Sequence, residues 1–212
     1  MDTIELLEHL SIEAISDAMD CLNIKGLIDG MTPISKTRKV VGIAYTVQFC
    51  EAYPKGECMA ADYIDNVPKE SVICIDNNDS PFCSVWGRIL TQTAQLKHIK
   101  GTIIYGACRD IDYNSSCSYP IFAKHITCKT GKGVVKLKDI QCPLEIQGVI
   151  VSPGDYVVAD NYSVIIIPKR ICKKVIQKAL EIEKVEGDII SAVKHGSTLM
   201  EARKKYNYNK YM

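Results

Sequence analysis

The sequence predicts a mixed α/β domain with C-terminal helices, and three observations carry that prediction. Short apolar, β-branched runs at 40–50, 71–76 and 101–107 alternate with stretches of helical periodicity in the first half of the chain. Residues 133–167 then read as strands separated by turn residues. From Pro168 the apolar positions return to helical spacing and hold it to the last residues. Alternation first and strands later is the pattern of a mixed α/β architecture. The organisation that follows is an α/β domain over 1–168 and a helical extension over 169–212, packing on that domain or on a neighbouring subunit.

In chain order, residues 2–23 read as helix. Leu6, Leu7, Leu10, Ile15, Ala18, Met19 and Leu22 recur near helical spacing, and Ser11 is placed to cap a second helix after a short first one. Gly26 and Gly30 end it. Residues 40–50 form an apolar strand, 57–65 a helix, and Val67, Pro68, Lys69 and Glu70 turn the chain into the strand 71–76. Residues 77–81 are a turn-rich loop. A helix starts at Gly87 and runs to Leu96, ahead of the strand 101–107. Residues 119–123 are extended, 133–137 and 144–151 alternate like antiparallel strands, and 157–159 with 164–167 read as a hairpin. Pro168 suits the first turn of the long helix, Gly196 ends it, and a last helix carries Met200.

Composition excludes several classes of function. A formal net charge of +1 gives no electrostatic reason to expect nucleic acid or an anionic membrane. No stretch approaches the roughly 20 apolar residues of a membrane span. The N-terminal residues are acidic and amphipathic and lack the basic and apolar regions of a signal peptide, which makes a cytoplasmic protein the expectation. Ten cysteines are many for 212 residues, but none pair at Cys-x-x-Cys spacing, so a zinc ribbon is not indicated. They read as reduced thiols. His98, His125 and His195 have no partner at metal-ligand spacing.

The most informative stretch is 101–110. An apolar strand runs out through Gly106 into adjacent Arg109 and Asp110. Ligands in α/β folds bind just beyond strand ends. An arginine fork matches a planar carboxylate, and an aspartate suits a hard cation. A structural ion pair is the plainer reading of the same two residues. Asp76, at another strand end, either lines that pocket or caps the following turn. Asp155 and Asp160 lie in turns and read as structural.

Together with Val85, Trp86, Gly87, Arg88, Ile89 and Leu90 upstream, the 119–123 segment, and the 148–160 segment with Pro153, Gly154, Asp155 and Asp160, this stretch resembles the RraA-like family over about residues 10 to 205. That family includes the class II pyruvate aldolases acting on 4-hydroxy-4-methyl-2-oxoglutarate and the regulator of ribonuclease E activity. The resemblance implies a swivelling β/β/α sandwich and a homotrimer or homohexamer with sites at subunit interfaces. It implies a small-molecule 2-keto acid substrate and a Mg²⁺ or Mn²⁺ cofactor; on net charge, no nucleic-acid or membrane partner is expected.

By that resemblance Arg109 and Asp110 are the catalytic pair. Asp110 holds the metal and Arg109 clamps the substrate carboxylate. Gly87, Arg88, Ile89 and Leu90 complete the substrate site, with the backbone N–H groups of Ile89 and Leu90 as anion donors. The chain departs from the aldolases at position 88, where their acid is replaced by an arginine that cannot act as a base near neutral pH. Gly196 and Ser197 stand where aldolases carry Gly-Glu. If Arg88 faces the same pocket as Arg109, a dianionic ligand is favoured. The expected activity is metal-dependent cleavage of a small 2-keto or hydroxy dicarboxylic acid to pyruvate, by retro-aldol reaction or oxaloacetate-type decarboxylation. A non-catalytic regulator, or an enzyme of different specificity on the same scaffold, is the alternative.

Overall fold

The computed structural model describes residues 2–36, 39–52, 61–161 and 163–208. These divide into two compact units, one made of residues 1–26 with 170–212 and the other of residues 27–169.

The first unit is helical. α1 (Thr3–His9) opens with a capping box between Asp2 and Glu5, and α2 (Ile12–Cys21) is capped by the Ser11 hydroxyl on the Ala14 N–H, as its sequence suggests. Ser11 also donates its backbone N–H to Glu183 Oε1 at 2.8 Å, tying the junction of the two helices to the long C-terminal helix. α2 buries Ile12, Ala14, Ile15, Ala18 and Met19, and it packs on that helix.

The second unit is a mixed sheet with its own helices. Its strands are β1 (Leu27–Ile28), β2 (Thr32–Pro33), β3 (Val40–Glu51), β4 (Ser71–Asp76), β5 (Ser84–Trp86), β6 (Gly101–Cys108), β7 (Ile121–Ile126), β8 (Val135–Ile140), β9 (Leu144–Ile146), β10 (Val149–Val151), β11 (Tyr156–Ala159) and β12 (Val164–Ile167). The main sheet runs β1-β12-β11-β3-β4-β6-β7-β2, with β5 added on β6 and β8 on β3. β3, β4, β6 and β7 are parallel neighbours, and β5 joins β6 in the same sense. Among the described residues, two α-helices belong to this unit, α3 (Arg88–Leu96) and α4 (Ile111–Ser116). In the helical unit, α5 (Cys172–Lys194) and α6 (Leu199–Lys205) follow α1 and α2.

β4 shows why the parallel strands read as unbroken apolar runs. All six of its residues are buried, because both faces of the sheet are covered. Ile73 and Ile75 face one core with Tyr45, Val47, Phe49, Trp86, Ala94 and Ile104. Val72 and Cys74 face the other, with Leu144, Ile146, Val149 and Val151 of the β9–β10 hairpin.

Three expectations differ in detail. The strand expected over 144–151 is two strands, because Gln147 (φ 53) and Gly148 (φ 74) both take the left-handed backbone of a tight hairpin turn. The helix expected over 57–65 lies partly outside the described residues, and its described part is a 3-10 helix, Asp62–Asn66. The long helix starts at Cys172, after a 3-10 turn over Lys169–Ile171. α4 and the short edge strands β1 and β2 were not expected.

Candidate functional site

β6 ends at Cys108, and the chain passes through Arg109 to Asp110, which sits in the left-handed region at φ 58, ψ 44. Aspartate tolerates this backbone better than most residues. Asp110 is the N-cap of α4 but makes no side-chain bond to it. Its Oδ2 instead accepts the backbone N–H of Arg88 at 2.8 Å, at the start of α3. The first N–H groups of a helix have no acceptor within it, so this carboxylate satisfies one of them.

Gly87 is the residue that lets the pieces meet. A Cβ there would fall 2.6 Å from Asp110 Oδ2 and 3.1 Å from both Cγ and Nε of Arg109. The Arg109 N–H donates to the Trp86 carbonyl at 3.0 Å, which holds the end of β6 against β5. The Arg109 guanidinium is not locked onto its neighbour. Nε lies 3.8 Å from Asp110 Oδ2, and both side chains are a third or more exposed. The fork is therefore available to a ligand.

Arg109 lines a cleft of about 350 Å³ together with Gly87, Ile89 and Leu90. Phe49, Val85, Trp86 and Val135 give it apolar walls, and Asp62, Thr130 and Lys132 bring polar groups. The loop bearing Lys132 is pinned to β5. The Ser84 N–H donates to the Lys129 carbonyl at 2.9 Å, and a Cβ on Gly131 would lie 2.5 Å from the Ser84 carbonyl oxygen. Ile89 and Leu90 thus reach the cleft in the first turn of α3, where backbone N–H groups are unpaired within the helix.

Arg88 is placed differently. Its guanidinium carbon lies 4.7 Å from the centre of the Tyr113 ring, a cation–π contact with α4, and Arg88 is not among the residues lining the cleft. Asp76 takes the capping role: its Oδ1 accepts the Asn78 N–H at 2.8 Å, and it is absent from the cleft lining. Asp155 accepts the N–H groups of Ser152 and Lys169, both at 2.9 Å, and is structural, as expected. His125 has a partner that spacing could not show, Asp79, at 2.7 Å.

Cys108 is fully buried behind the site. Burial pushes its thiol up to about 12, further raised by Asp110 and partly offset by hydrogen bonds from Asn114 and with the Arg109 backbone. At pH 8 it is protonated and inert. Native protein is expected to leave Cys108 unmodified by iodoacetamide at pH 8 while exposed Cys128 reacts, as peptide mass mapping would read.

Sequence reasoning missed Asp62, Lys132, Phe49 and Val135. They come from segments far apart in sequence, and none carries a local motif.

Among the described residues no three His, Cys, Asp or Glu side chains gather as a metal-ligand set. Mg²⁺ or Mn²⁺ makes a different demand: one or two carboxylates suffice, with water completing the shell. Asp110 offers one exposed carboxylate beside Arg109, though it does not itself line the cleft, and one such carboxylate is compatible with that demand.

The family model described as RraA-like, Aldolase/RraA, matches residues 12–166. Protein DlpA of Legionella pneumophila is 43% identical over 196 residues, which is 92% of this chain but 32% of DlpA, so the chain spans about a third of that relative's length. A putative 4-hydroxy-4-methyl-2-oxoglutarate aldolase from Halalkalibacterium halodurans is 31% identical over 84% of this chain and 82% of its own. The crystal structure of an uncharacterized protein from Pseudomonas syringae pv. tomato superposes with a TM-score of 0.89 at 38% identity, covering 96% of this chain and 93% of that one. The mixed sheet with C-terminal helices is the swivelling fold of these proteins. On the extent of the family match and the identity to full-length relatives, the chain belongs to the RraA-like, aldolase/RraA family.

Proposed function

We propose that the chain is a divalent-metal-assisted lyase for a small 2-keto dicarboxylic acid, with a specificity different from that of the 4-hydroxy-4-methyl-2-oxoglutarate aldolases. The observation that carries this reading is the open Arg109 fork on the wall of the cleft, with the Asp110 carboxylate fixed beside it. Mg²⁺ or Mn²⁺ held by Asp110 would polarise the 2-keto group. Arg109 clamps the adjacent carboxylate in a bidentate grip, and the N–H groups of Ile89 and Leu90 supply further donors. Lys132 is a second cation lining the same cleft and pairs with a distal carboxylate. The second positive charge thus comes from Lys132, while Arg88 rests on Tyr113. The apolar walls exclude water from the middle of the ligand.

In decarboxylation the bond to the distal carboxylate carbon breaks and CO₂ leaves. The electron pair stays on the three-carbon fragment, which takes a proton and departs as pyruvate. No base is needed. Retro-aldol cleavage also requires removal of the distal hydroxyl proton. Among the described residues lining the cleft, Asp62 is the one carboxylate that can accept it. Oxaloacetate decarboxylation, which needs no such base, is the activity that depends on the fewest groups of this cleft.

The test is a coupled pyruvate-release assay with oxaloacetate and with 4-hydroxy-4-methyl-2-oxoglutarate, each with Mg²⁺ or Mn²⁺ and with chelator. Pyruvate from oxaloacetate that vanishes with chelator supports the proposal. Asp62→Asn should lower any aldol cleavage by about 10²-fold or more, the scale of one general base, and leave decarboxylation within about twofold, well under the tenfold that 1.4 kcal/mol represents. Absence of metal-dependent pyruvate from both compounds favours the second reading, a non-catalytic regulator. The arginine at position 88, where the aldolases carry an acid, speaks for that reading, and a pull-down on ribonuclease E tests it.

A further inference from the structure

Behind the Arg109–Asp110 pair runs a buried polar chain that the proposed chemistry does not use. Trp86 Nε1 donates to Thr91 Oγ1 at 2.9 Å. The Thr91 hydroxyl donates to Asn114 Oδ1 at 2.9 Å, with the Gly87 carbonyl at 3.2 Å as alternative acceptor. Asn114 Nδ2 donates to the Arg109 carbonyl at 2.8 Å, and the Asn114 N–H to the Asp110 carbonyl at 3.0 Å. Thr91 and Asn114 are 0% exposed and Trp86 is 1% exposed. We propose that Asn114 is a positioning residue, holding the Arg109–Asp110 turn in its left-handed form so that Asp110 faces the start of α3 and Arg109 faces the cleft. The inference rests on the reading of these two residues as the ligand-binding pair.

The argument is one of alternatives. A left-handed aspartate ordinarily needs local support, and its own side chain often gives it by hydrogen-bonding nearby backbone. That support is absent, because Asp110 Oδ2 is committed to the Arg88 N–H, across the loop. The turn is therefore held from behind: the Asp110 carbonyl takes the first backbone bond of α4, which any residue at 114 would supply, and the Arg109 carbonyl takes the Asn114 side-chain amide. Thr91 must accept from Trp86 and so donates onward to the amide oxygen, while the amide N–H keeps its own acceptor in the Arg109 carbonyl. Trp86 is fixed in turn by stacking on Tyr119, centroids 6.3 Å apart at 8°. A polar chain buried this deeply costs more than an apolar one unless every member is satisfied. Its far end is the peptide joining the two ligand-binding residues.

The test compares Asn114→Leu and the milder Asn114→Ser with Thr91→Val. The threonine variant breaks the same buried chain but leaves the Asn114 amide able to donate to the Arg109 carbonyl. Amide hydrogen exchange of the metal-free protein is read at Arg88, whose N–H is bonded to Asp110, and at core amides of β4. Mn²⁺ affinity is read by titration. The expected result is Arg88 exchange at least tenfold faster in the Asn114 variants relative to β4, with Mn²⁺ bound at least tenfold more weakly, while Thr91→Val changes both by less than threefold. If Asn114→Leu does not fold, Asn114→Ser decides. The proposal is overturned if Arg88 and β4 amides accelerate together, or if Thr91→Val has the same effect, since both mark a purely structural role. If wild-type protein binds no Mn²⁺, the metal reading of Asp110 fails, and the exchange arm alone still decides the role of Asn114.

Discussion

Replacing Gly87 with alanine is expected to weaken ligand binding in the cleft by about a hundredfold while the protein stays folded. The new methyl would sit 2.6 Å from Asp110 Oδ2 and 3.1 Å from the Arg109 side chain, so both must move. These are side-chain atoms rather than backbone, and rotation relieves the clash. The backbone itself raises no objection, because at φ −162 Gly87 is extended. The fold loses chiefly the charge-assisted bond from the Arg88 N–H to Asp110, about 1.5–3 kcal/mol. The cleft loses more, since the carboxylate swings off its anchor and the guanidinium leaves the wall. Affinity for oxalate in the presence of Mg²⁺ should fall by roughly two orders of magnitude, about 2.7 kcal/mol. Thermal unfolding and calorimetric titration on the same preparation measure the two effects. Wild-type affinity in Gly87→Ala would mean that Arg109 and Asp110 do not form the site.

Arg109→Lys is the complementary experiment, because it keeps the charge and removes the fork. A lysine presents a point charge where the proposed ligand offers a planar carboxylate. Losing one of two parallel charge-assisted bonds costs about 2 kcal/mol, a factor of about 30 in oxalate affinity. Stability should scarcely change. The 3.8 Å contact to Asp110 is partly exposed and contributes about 0–1 kcal/mol. A lysine variant that binds oxalate as wild type does would show that the carboxylate is held elsewhere, with Lys132 the first residue to examine.

The parts of the fold legible in the sequence are those where local pattern and tertiary environment agree. β4 and β6 are buried on both faces, and their unbroken apolar runs say so. The end of β6 was legible because Arg109 and Asp110 interrupt that run. α4 was not, since it is only six residues long and begins from a left-handed aspartate, which reads as a turn. The β9–β10 turn was hidden because Gln147 lacks the signature of the usual Asn-Gly or Asp-Gly pair. The cleft was half legible. Gly87, Ile89, Leu90 and Arg109 lie on one crossover and its flanking strands. Asp62, Lys132, Phe49 and Val135 join them only through the sheet order. The side chain of Arg88 could not be placed without Tyr113, which stands on the unexpected helix.

The left-handed backbone at position 110 also narrows how this family can drift. Glutamate offers the same functional group, yet its longer chain has no preference for that conformation, so the usual acid-for-acid exchange is disfavoured by geometry alone. Asparagine and glycine fit the backbone and discard the charge. If Asp110 holds the proposed cation, relatives without one should carry one of those two there, and a single codon would sort the family into the two groups.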